Sequence, residues 1–356
     1  KKLQMQAPKF KDFITEQKTE PYRLVILSHN APDDPNNTGV RFREEAEKLG
    51  IKCFLAEMVG CRLEEDGDKV IVHSLPTNDK GEYKEPEPKE IPKYAPPFIC
   101  DPKDTLIMVR SSTTYNKSWK DMFRVFMSKG FCIINPLNCS EMCVDKWHTY
   151  QELKKHKLTQ PLTELISHKE DATAALKRMG TKYPVVLKTI TGTHGIGVIL
   201  IESENQLGPI TQLLYKLDDE IDVLLQEFIP TDFDVRVILA NLKPIAQMKR
   251  TIGKDFRSNV SQGAEAMPIE ITQLELDECI KAAKAVNGLV VGVDFIPAKD
   301  REKIPPYMLE VNSSPGFIGI EEALKKPVTK MVLQEYMNRE LWRIPEPDPG
   351  IYDDLN

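Results

Sequence analysis

Residues 307–317 read YMLEVNSSPGF and place two oxygen-bearing side chains on one face of a short strand. Glu310 and Asn312 are two positions apart, so an extended backbone points both of them the same way. An earlier apolar run, GLVVGVDFIP at 288–297, carries Asp294 near its end. A charged turn with two prolines separates the runs, which predict an antiparallel hairpin with Asp294 facing Glu310 and Asn312.

These three side chains form a set of hard oxygen donors. Two carboxylates and one carboxamide are the ligands that Mg²⁺ prefers, with positions left for water and phosphate oxygens. Burying both carboxylates without a cation would cost free energy. The sequence therefore predicts a metal site made by Asp294, Glu310 and Asn312. A second interpretation stays open, in which the carboxylates pair with Arg236 or Arg257.

The composition limits the classes of protein to which the chain can belong. It has 356 residues, 41% of them apolar, and a formal net charge of −6, which predicts a globular protein with two or three packed units. That charge excludes bulk coating of nucleic acid, so no direct nucleic-acid partner is expected. No run reaches about 18 apolar residues, the first residues lack the apolar centre of a signal peptide, and the seven scattered cysteines suit reduced thiols. We expect a cytoplasmic location and no membrane partner; a homo-oligomer stays open.

The first part of the chain alternates strand-like and helix-like patterns. Apolar runs predict strands at 22–28, 51–59, 105–112 and 131–136, and helical spacing covers 40–50 and 118–130. This alternation predicts a Rossmann-like domain over 21–140 after a tail at 1–20. The segment 76–102 is rich in proline and charge, which predicts a surface excursion without a core element. No G-x-G-x-x-G follows the first strand, so a dinucleotide-dependent dehydrogenase lacks its signature.

A glycine-rich loop lies between two apolar runs at 183–203, YPVVLKTITGTHGIGVILIES. The pattern predicts a hairpin whose glycines, Gly195 and Gly197 among them, let backbone amides approach an anion. Lys188 at the end of the first run could supply a cation to that anion. A tight hairpin with an ordinary surface lysine is the alternative.

Charged side chains continue through the next segment, 222–264. Asp234 and Arg236 share one face of a predicted strand, since they are two positions apart. A returning strand brings Arg250 toward the same surface, with Arg257 and Asn259 beyond it. This collection of cations favours an anionic ligand, and a row of solvated strand residues is the alternative.

The order of these blocks resembles the ATP-grasp ligases, and within them the RimK branch of ribosomal protein S6 glutamate ligases. The resemblance covers about residues 100–330. It rests on Lys146, Lys188 with its glycine-rich hairpin, and the blocks QEFI, DVRV, DFRSN, VGVDF and LEVNSSPGFIGIEEAL. It implies an α/β ATP-grasp fold preceded by a Rossmann-like pre-ATP-grasp domain. The ATP-grasp domain would span 141–345, with a lid at about 160–228, a metal-binding lobe at about 229–345 and an acidic tail at 346–356.

The resemblance also implies a role for each matching position. The phosphates of ATP would be contacted by Lys146, Lys188, Gly195 and Gly197. Glu227 and Ile229 would hold the adenine edge. Asp234 would bind the ribose, and Arg236 would also contact the nucleotide. The transferred phosphate and the substrate carboxylates would face Arg250, Arg257 and Asn259. One or two Mg²⁺ ions, for which Mn²⁺ can substitute, would be held by Asp294, Glu310 and Asn312.

The reaction that the resemblance implies is the ADP-forming joining of a carboxylate to an amine through an acylphosphate. Glutamate is the favoured amine, and a protein or peptide carboxyl terminus is the favoured acceptor. The alternatives are a ligase for another amino acid or small peptide, as in glutathione-synthetase-like or amino-carrier-protein ligases, and an ATP-binding scaffold without activity. The excursion at 76–102, the long turn after Asp294 and the acidic ending depart from the family pattern and leave the acceptor open.

Overall fold

A computed structural model describes residues 22–29, 38–78, 92–110, 117–190, 197–218, 221–252 and 265–342. Four sheets organise these residues, one of them parallel and three antiparallel. In the described part of the chain, no helix is both long and apolar enough to span a bilayer.

The parallel sheet lies in the first third of the chain and has the strand order β2-β1-β6-β7. Its strands are β1 (Arg23–Ser28), β2 (Lys52–Glu57), β6 (Thr105–Arg110) and β7 (Ile133–Ile134), and its helices are α1 (Thr38–Lys48) and α2 (Lys117–Ser128). The central strands β1 and β6 are buried almost throughout, as continuous apolar runs in parallel sheets are. The predicted strand–helix–strand opening is therefore confirmed, while the domain limits 21–140 stay a prediction.

A small antiparallel sheet corrects the interpretation of the 76–102 segment. It consists of β3 (Arg62–Asp66), β4 (Lys69–His73) and β5 (Phe98–Cys100), in that order. The expectation of no core element was wrong at 98–100, because Phe98 and Cys100 are buried against Val70 and Val72 of β4. The average of a proline-rich and charged segment hides a strand of three residues. Residues 79–91 lie outside the described part.

A four-stranded antiparallel sheet follows, with the order β10-β9-β11-β8. Its strands are β8 (Thr163–Ile166), β9 (Val185–Thr189), β10 (Val198–Ile201) and β11 (Val223–Glu227), packed against α5 (Ala172–Met179) and α6 (Glu204–Leu217). The predicted hairpin is confirmed, since β9 and β10 pair antiparallel with Lys188 opposite Val198. The tip of this hairpin, 191–196, lies outside the described residues.

A five-stranded antiparallel sheet carries most of the predicted site, with the order β14-β13-β12-β15-β16. Its strands are β12 (Phe233–Ala240), β13 (Lys243–Thr251), β14 (Ala266–Pro268), β15 (Val290–Ile296) and β16 (Tyr307–Asn312). The remaining helices are α3 (Leu137–Val144), α4 (Lys146–Lys155), α7 (Gln273–Ala285), α8 (Ile318–Leu324) and α9 (Val328–Glu335). The β15–β16 hairpin predicted from the sequence is confirmed.

The two faces of the five-stranded sheet differ. One face packs Val235, Val237 and Val293 into an apolar core with residues of α4 and α7. The other face is divided along its length. One end contributes Ile238 and Ala240 to a core shared with the parallel sheet, and the other end carries the charged residues described next.

Candidate active site

Two ion pairs, one buried and one partly buried, cross the charged end of the five-stranded sheet. Arg250 donates from Nε to Asp234 Oδ1 at 2.8 Å and from Nη2 to Asp234 Oδ2 at 2.5 Å. Arg236 donates from Nε to Asp294 Oδ1 at 2.7 Å and from Nη2 to Asp294 Oδ2 at 2.6 Å. Arg250 Nη2 also lies 2.9 Å from Asp294 Oδ2, which joins the pairs into one network. Strand register explains the pairing, because Asp234 lies opposite Arg250 and Arg236 lies opposite Asp294.

The β15–β16 hairpin brings the three predicted metal ligands together. Asp294 lies directly opposite Glu310, whose carboxyl is within hydrogen-bond reach of it. Asn312 Nδ2 donates to Glu310 Oε1 at 3.0 Å. The Asp294 side chain is 2% exposed and that of Glu310 is 43% exposed, so the cluster opens to solvent on the Glu310 side.

Electrostatics keeps Asp294 ionised. Burial alone would raise the pKa of Asp294, but the guanidinium groups of Arg236 and Arg250 hold that pKa well below its usual range. Burial acts against the charged form of Arg250, yet Asp294 and Asp234 raise its pKa further above the ordinary value. Asp294 and Arg250 therefore stay ionised at neutral pH.

The donor set fits Mg²⁺. A carboxylate offers about four lone-pair positions, and the two arginines use three of those on Asp294. One position remains on Oδ1. Two facing carboxylates repel each other unless a cation or a proton lies between them. Across the described residues no three histidine, cysteine, aspartate or glutamate side chains form a metal cluster. The Asn312 amide oxygen would be the third protein ligand of the predicted site.

Lys188 on β9 is held by a short chain of polar side chains. Its Nζ donates to Gln226 Oε1 at 2.6 Å, and Gln226 Nε2 donates to Thr163 Oγ1 at 2.9 Å. The second hydrogen bond fixes the orientation of the amide, which turns its oxygen toward the ammonium group. Burial lowers the pKa of Lys188 to about 8, while Glu310 opposes the shift and Lys146 adds to it.

Lys146 approaches the same place from the start of α4. Its Nζ donates to the carbonyl oxygen of Ile190 at 3.1 Å, just before the glycine-rich tip. Burial lowers the pKa of Lys146, and the charges of Glu310 and Asp145 oppose that shift. Since the charge of Glu310 acts on both lysines, these two cations lie near the carboxylate cluster.

Three of the remaining predicted nucleotide residues, Gly197, Glu227 and Ile229, lie in the described part of the chain. Gly197 has a φ of +78°, and a Cβ there would lie 2.5 Å from Thr189 Oγ1, so glycine is required. Glu227 ends β11, where its backbone N–H donates to the Leu162 carbonyl oxygen at 2.8 Å. Ile229 follows in the link between β11 and β12. The adenine and ribose roles of Glu227, Ile229 and Asp234 stay predictions, and so do those of Gly195, Arg257 and Asn259, which lie outside the described residues.

Two residues of this site received no role from the sequence, Gln226 and Thr163. A signal for Gln226 exists, because it is the one uncharged polar residue in the buried run VLLQE of β11. The two hydrogen-bond partners of Gln226 could not be found from the sequence, because the sequence does not show that the strands of Thr163 and Lys188 lie on either side of β11.

Solved structures show which class of protein this arrangement defines. A RimK domain ATP-grasp protein from Sphaerobacter thermophilus superposes with a TM-score of 0.57 at 16% identity, covering 88% of this chain and 98% of that one. The ATP-grasp ligase PsnB, complexed with Mg, ADP and a phosphomimetic variant of its minimal precursor, gives 0.61 at 17% identity over 89% and 98%. D-alanine–D-alanine ligase from Bacillus anthracis, complexed with ATP, gives 0.58 at 14% identity over 90% and 98%. The fold is that of the ATP-grasp ligases.

The sequence narrows this class further. Residues 143–336 match the family model described as the RimK-like ATP-grasp domain, which is more than half of the chain. The chain belongs to the RimK-like ATP-grasp family of ligases.

Its curated relatives carry a more specific name. A probable alpha-L-glutamate ligase from Psychromonas ingrahamii is 29% identical over 322 residues, covering 88% of this chain and 94% of the relative. The probable alpha-L-glutamate ligase from Coxiella burnetii is 35% identical over 207 residues, covering 57% of this chain and 66% of the relative. This chain therefore spans just under two thirds of the Coxiella relative.

The lowered pKa of Lys188 predicts proton uptake when a nucleotide binds. With a pKa of about 8, Lys188 is largely neutral at about pH 9, whereas an ordinary lysine is charged there. Bound phosphate favours the charged form and raises the pKa, so binding of ADP at about pH 9 should add a proton. Calorimetric titration in two buffers of different ionisation enthalpy measures this uptake. Lys188→Ala should abolish it and weaken binding without unfolding the protein, while Lys155→Ala, at an exposed lysine of α4, should not; equal uptake in Lys188→Ala and wild type would contradict the assignment.

Gln226 should control both the position and the pKa of Lys188. Gln226→Leu removes the acceptor, and we expect about tenfold weaker ADP binding, because a hydrogen bond to a charged group contributes about 1.5 to 3 kcal/mol. Gln226→Glu keeps the acceptor and should raise the pKa of Lys188, so it should lose the proton uptake at about pH 9. Titration calorimetry of both variants checks this pair of effects. Wild-type affinity in Gln226→Leu would show that the hydrogen bond does not orient Lys188.

Proposed function

We propose that this protein is an ATP-dependent carboxylate–amine ligase that adds glutamate to the carboxyl terminus of a protein or peptide. The observation that carries the proposal is the approach of two lysines to a carboxylate cluster. Lys188 on β9 and Lys146 on α4 both feel the charge of Glu310, which lies opposite Asp294. A polyphosphate with a bound divalent cation needs both halves, because its oxygens bind the lysines and its cation binds the carboxylates.

The chemistry is a transfer in two steps. The acceptor carboxylate attacks the γ-phosphorus of ATP, which forms an acylphosphate and releases ADP. The amine nitrogen of glutamate then attacks the acyl carbon, so that an amide forms, phosphate leaves and the ammonium protons pass to solvent. Such a transfer depends on positioning and charge neutralisation more than on a covalent nucleophile.

Each part of the site has a task in this scheme. Lys146 and Lys188 bind phosphate oxygens, and Gln226 keeps Lys188 aimed at them. Asp294, Glu310 and Asn312 would hold Mg²⁺, which when bound neutralises charge on the β and γ phosphates. Glu227 and Ile229 hold the adenine edge, Asp234 and Arg236 take part in the nucleotide pocket, and Arg250, Arg257 and Asn259 face the transferred phosphate. The 191–196 hairpin tip would cover the phosphates.

The choice of substrates rests on the relatives. The name alpha-L-glutamate ligase favours glutamate as the amine. PsnB has been solved with a precursor peptide, which is a property of that protein and supports a peptide acceptor here. A cytoplasmic location is part of the proposal, and the seven cysteines, all of them free thiols, support it.

The proposal is tested by asking which molecule gains mass. The purified protein is incubated with ATP, Mg²⁺ and each amino acid in turn, with a panel of peptides that carry free or amidated carboxyl termini, and with host lysate. Mass spectrometry should show the addition of glutamate to free carboxyl termini and not to the amidated controls. Addition of another amino acid, or of glutamate to an amidated peptide, would reject the substrate assignment.

Turnover should release ADP and phosphate. An acylphosphate route cleaves the bond between the β and γ phosphates, because the carboxylate attacks the terminal phosphorus. Chromatographic separation of the nucleotides after a single turnover shows which bond is cleaved. The appearance of AMP and pyrophosphate would remove the mechanism.

Glu310→Gln should damage turnover more than nucleotide binding. It removes a negative charge from the cluster while keeping size and one oxygen, so kcat should fall by about two orders of magnitude and the Mg²⁺ dependence should shift upward. Asn312→Ala should act in the same direction but less severely, since a neutral ligand contributes less. Steady-state kinetics across a Mg²⁺ series measures both.

A matched substitution, Glu322→Gln at an exposed position of α8, should leave the kinetics unchanged. If Glu310 were only a partner of Arg236, the Glu310→Gln variant would lose stability, and its kcat and Mg²⁺ dependence would match wild type.

A further inference from the structure

Residues of the parallel sheet form hydrogen bonds with the turn that follows β16. Residues 313–316 come directly after Asn312, the last residue of β16. This turn also packs against β15, because a Cβ added to Gly292 would lie 2.9 Å from Pro315 Cβ, and Gly292 is the residue opposite Asn312. A displacement of the turn would therefore move Asn312 with it.

Asn135 binds one end of this turn. It directly follows β7 of the parallel sheet and is 1% exposed. Its Nδ2 donates to the Ser313 carbonyl oxygen at 2.5 Å and to the Val290 carbonyl oxygen at 2.7 Å. Its Oδ1 accepts from Leu289 N at 2.7 Å and from Val290 N at 2.9 Å. One buried amide thus ties the beginning of β15 to the residue after Asn312.

Arg110 binds the other end. It is the last residue of β6, is 7% exposed, and donates from Nη2 to the Pro315 carbonyl oxygen at 2.5 Å. Nε and Nη2 also donate to Thr38 Oγ1 at 3.2 and 3.0 Å. The guanidinium lies over the rings of Phe42 and Phe317, with centroids 5.4 and 5.2 Å from Cζ. No carboxylate of the described residues pairs with Arg110.

Packing of the two sheets against each other does not require the hydrogen bonds of Arg110 and Asn135. The sheets already share an apolar core that includes Phe42 and Phe317. Burying a guanidinium without a carboxylate costs free energy, and that cost lowers the pKa of Arg110 to about 9. The same edge of the sheet nevertheless directs Arg110 and Asn135 at two carbonyl groups of one short turn.

We propose that Arg110 and Asn135 are positioning residues of the ligase site, which fix the 313–316 turn and thereby hold Asn312 and Glu310 in the geometry that binds the Mg²⁺–nucleotide complex. The inference rests on the proposed function, because it takes Asn312 and Glu310 as metal ligands. Residues that orient metal ligands commonly change metal affinity by about tenfold or more when they are replaced.

The test uses the full chain and ADP as the probe. Affinity for ADP is measured by titration calorimetry without Mg²⁺ and across a Mg²⁺ series, at a temperature below the Tm of every variant. In Arg110→Met the Mg²⁺ concentration for half-maximal enhancement of binding should rise about tenfold, while affinity without Mg²⁺ stays at the wild-type value. Arg110→Lys keeps a donor and the charge, so it should give an intermediate shift.

Ile107→Ala is the control for lost stability. Ile107 lies on the same strand as Arg110 but in the core on the opposite face of the parallel sheet, so its truncation should lower Tm and leave the Mg²⁺ dependence unchanged. An unshifted Mg²⁺ dependence in Arg110→Met, or an equal shift in Ile107→Ala, would overturn the positioning role.

Asn312→Ala separates this inference from the proposed function. If Asn312→Ala shifts the Mg²⁺ dependence and Arg110→Met does not, the positioning role fails and the metal site stands. If Asn312→Ala itself causes no shift, the metal assignment fails, and the positioning role fails with it.

Discussion

The pairing of Asp294 with Arg236 and Arg250 is the interaction on which the arrangement of the site depends. It lies in a sheet whose other face is apolar, and removal of one partner would leave a buried charge without compensation. The bidentate geometry also fixes three strands relative to one another, because β13, β12 and β15 each supply a member. Of the charged groups, Asp234, Asp294 and Glu310 outnumber the two arginines, so the excess negative charge falls on Glu310, at the solvent edge and beside the lysines.

Sequence patterns predicted those elements whose signals are local. The carboxylate cluster follows from a period of two along β15 and β16 and from the short distance between these strands in the chain. The β9–β10 hairpin and the first strand–helix–strand unit could be predicted for the same reason, and the structure contains both. By contrast, β3 reads RLEED and is largely exposed, so it has no apolar alternation by which it could be recognised.

Partners that meet across distant segments could be named only as an alternative or not at all. The sequence left open whether Arg236 lies at the nucleotide or pairs with a carboxylate, and the structure shows it paired with Asp294, a residue 58 positions away whose proximity depends on the register of β12 against β15. Arg110 and Asn135 reach the 313–316 turn from 205 and 178 positions away. A single sequence carries no signal for such contacts, because side-chain direction on one strand says nothing about which strand lies next to it.

The apolar core that the parallel sheet shares with the five-stranded sheet has a consequence for how the molecule folds. Leu24, Ile26 and Met108 from the first sheet pack in the same cluster as Ile238, Ala240 and Phe317. A fragment limited to 143–336, the segment that matches the family, would expose those last three side chains to water. The family domain therefore shares one of its apolar cores with the parallel sheet, and separating the two would cost the free energy of burying these side chains.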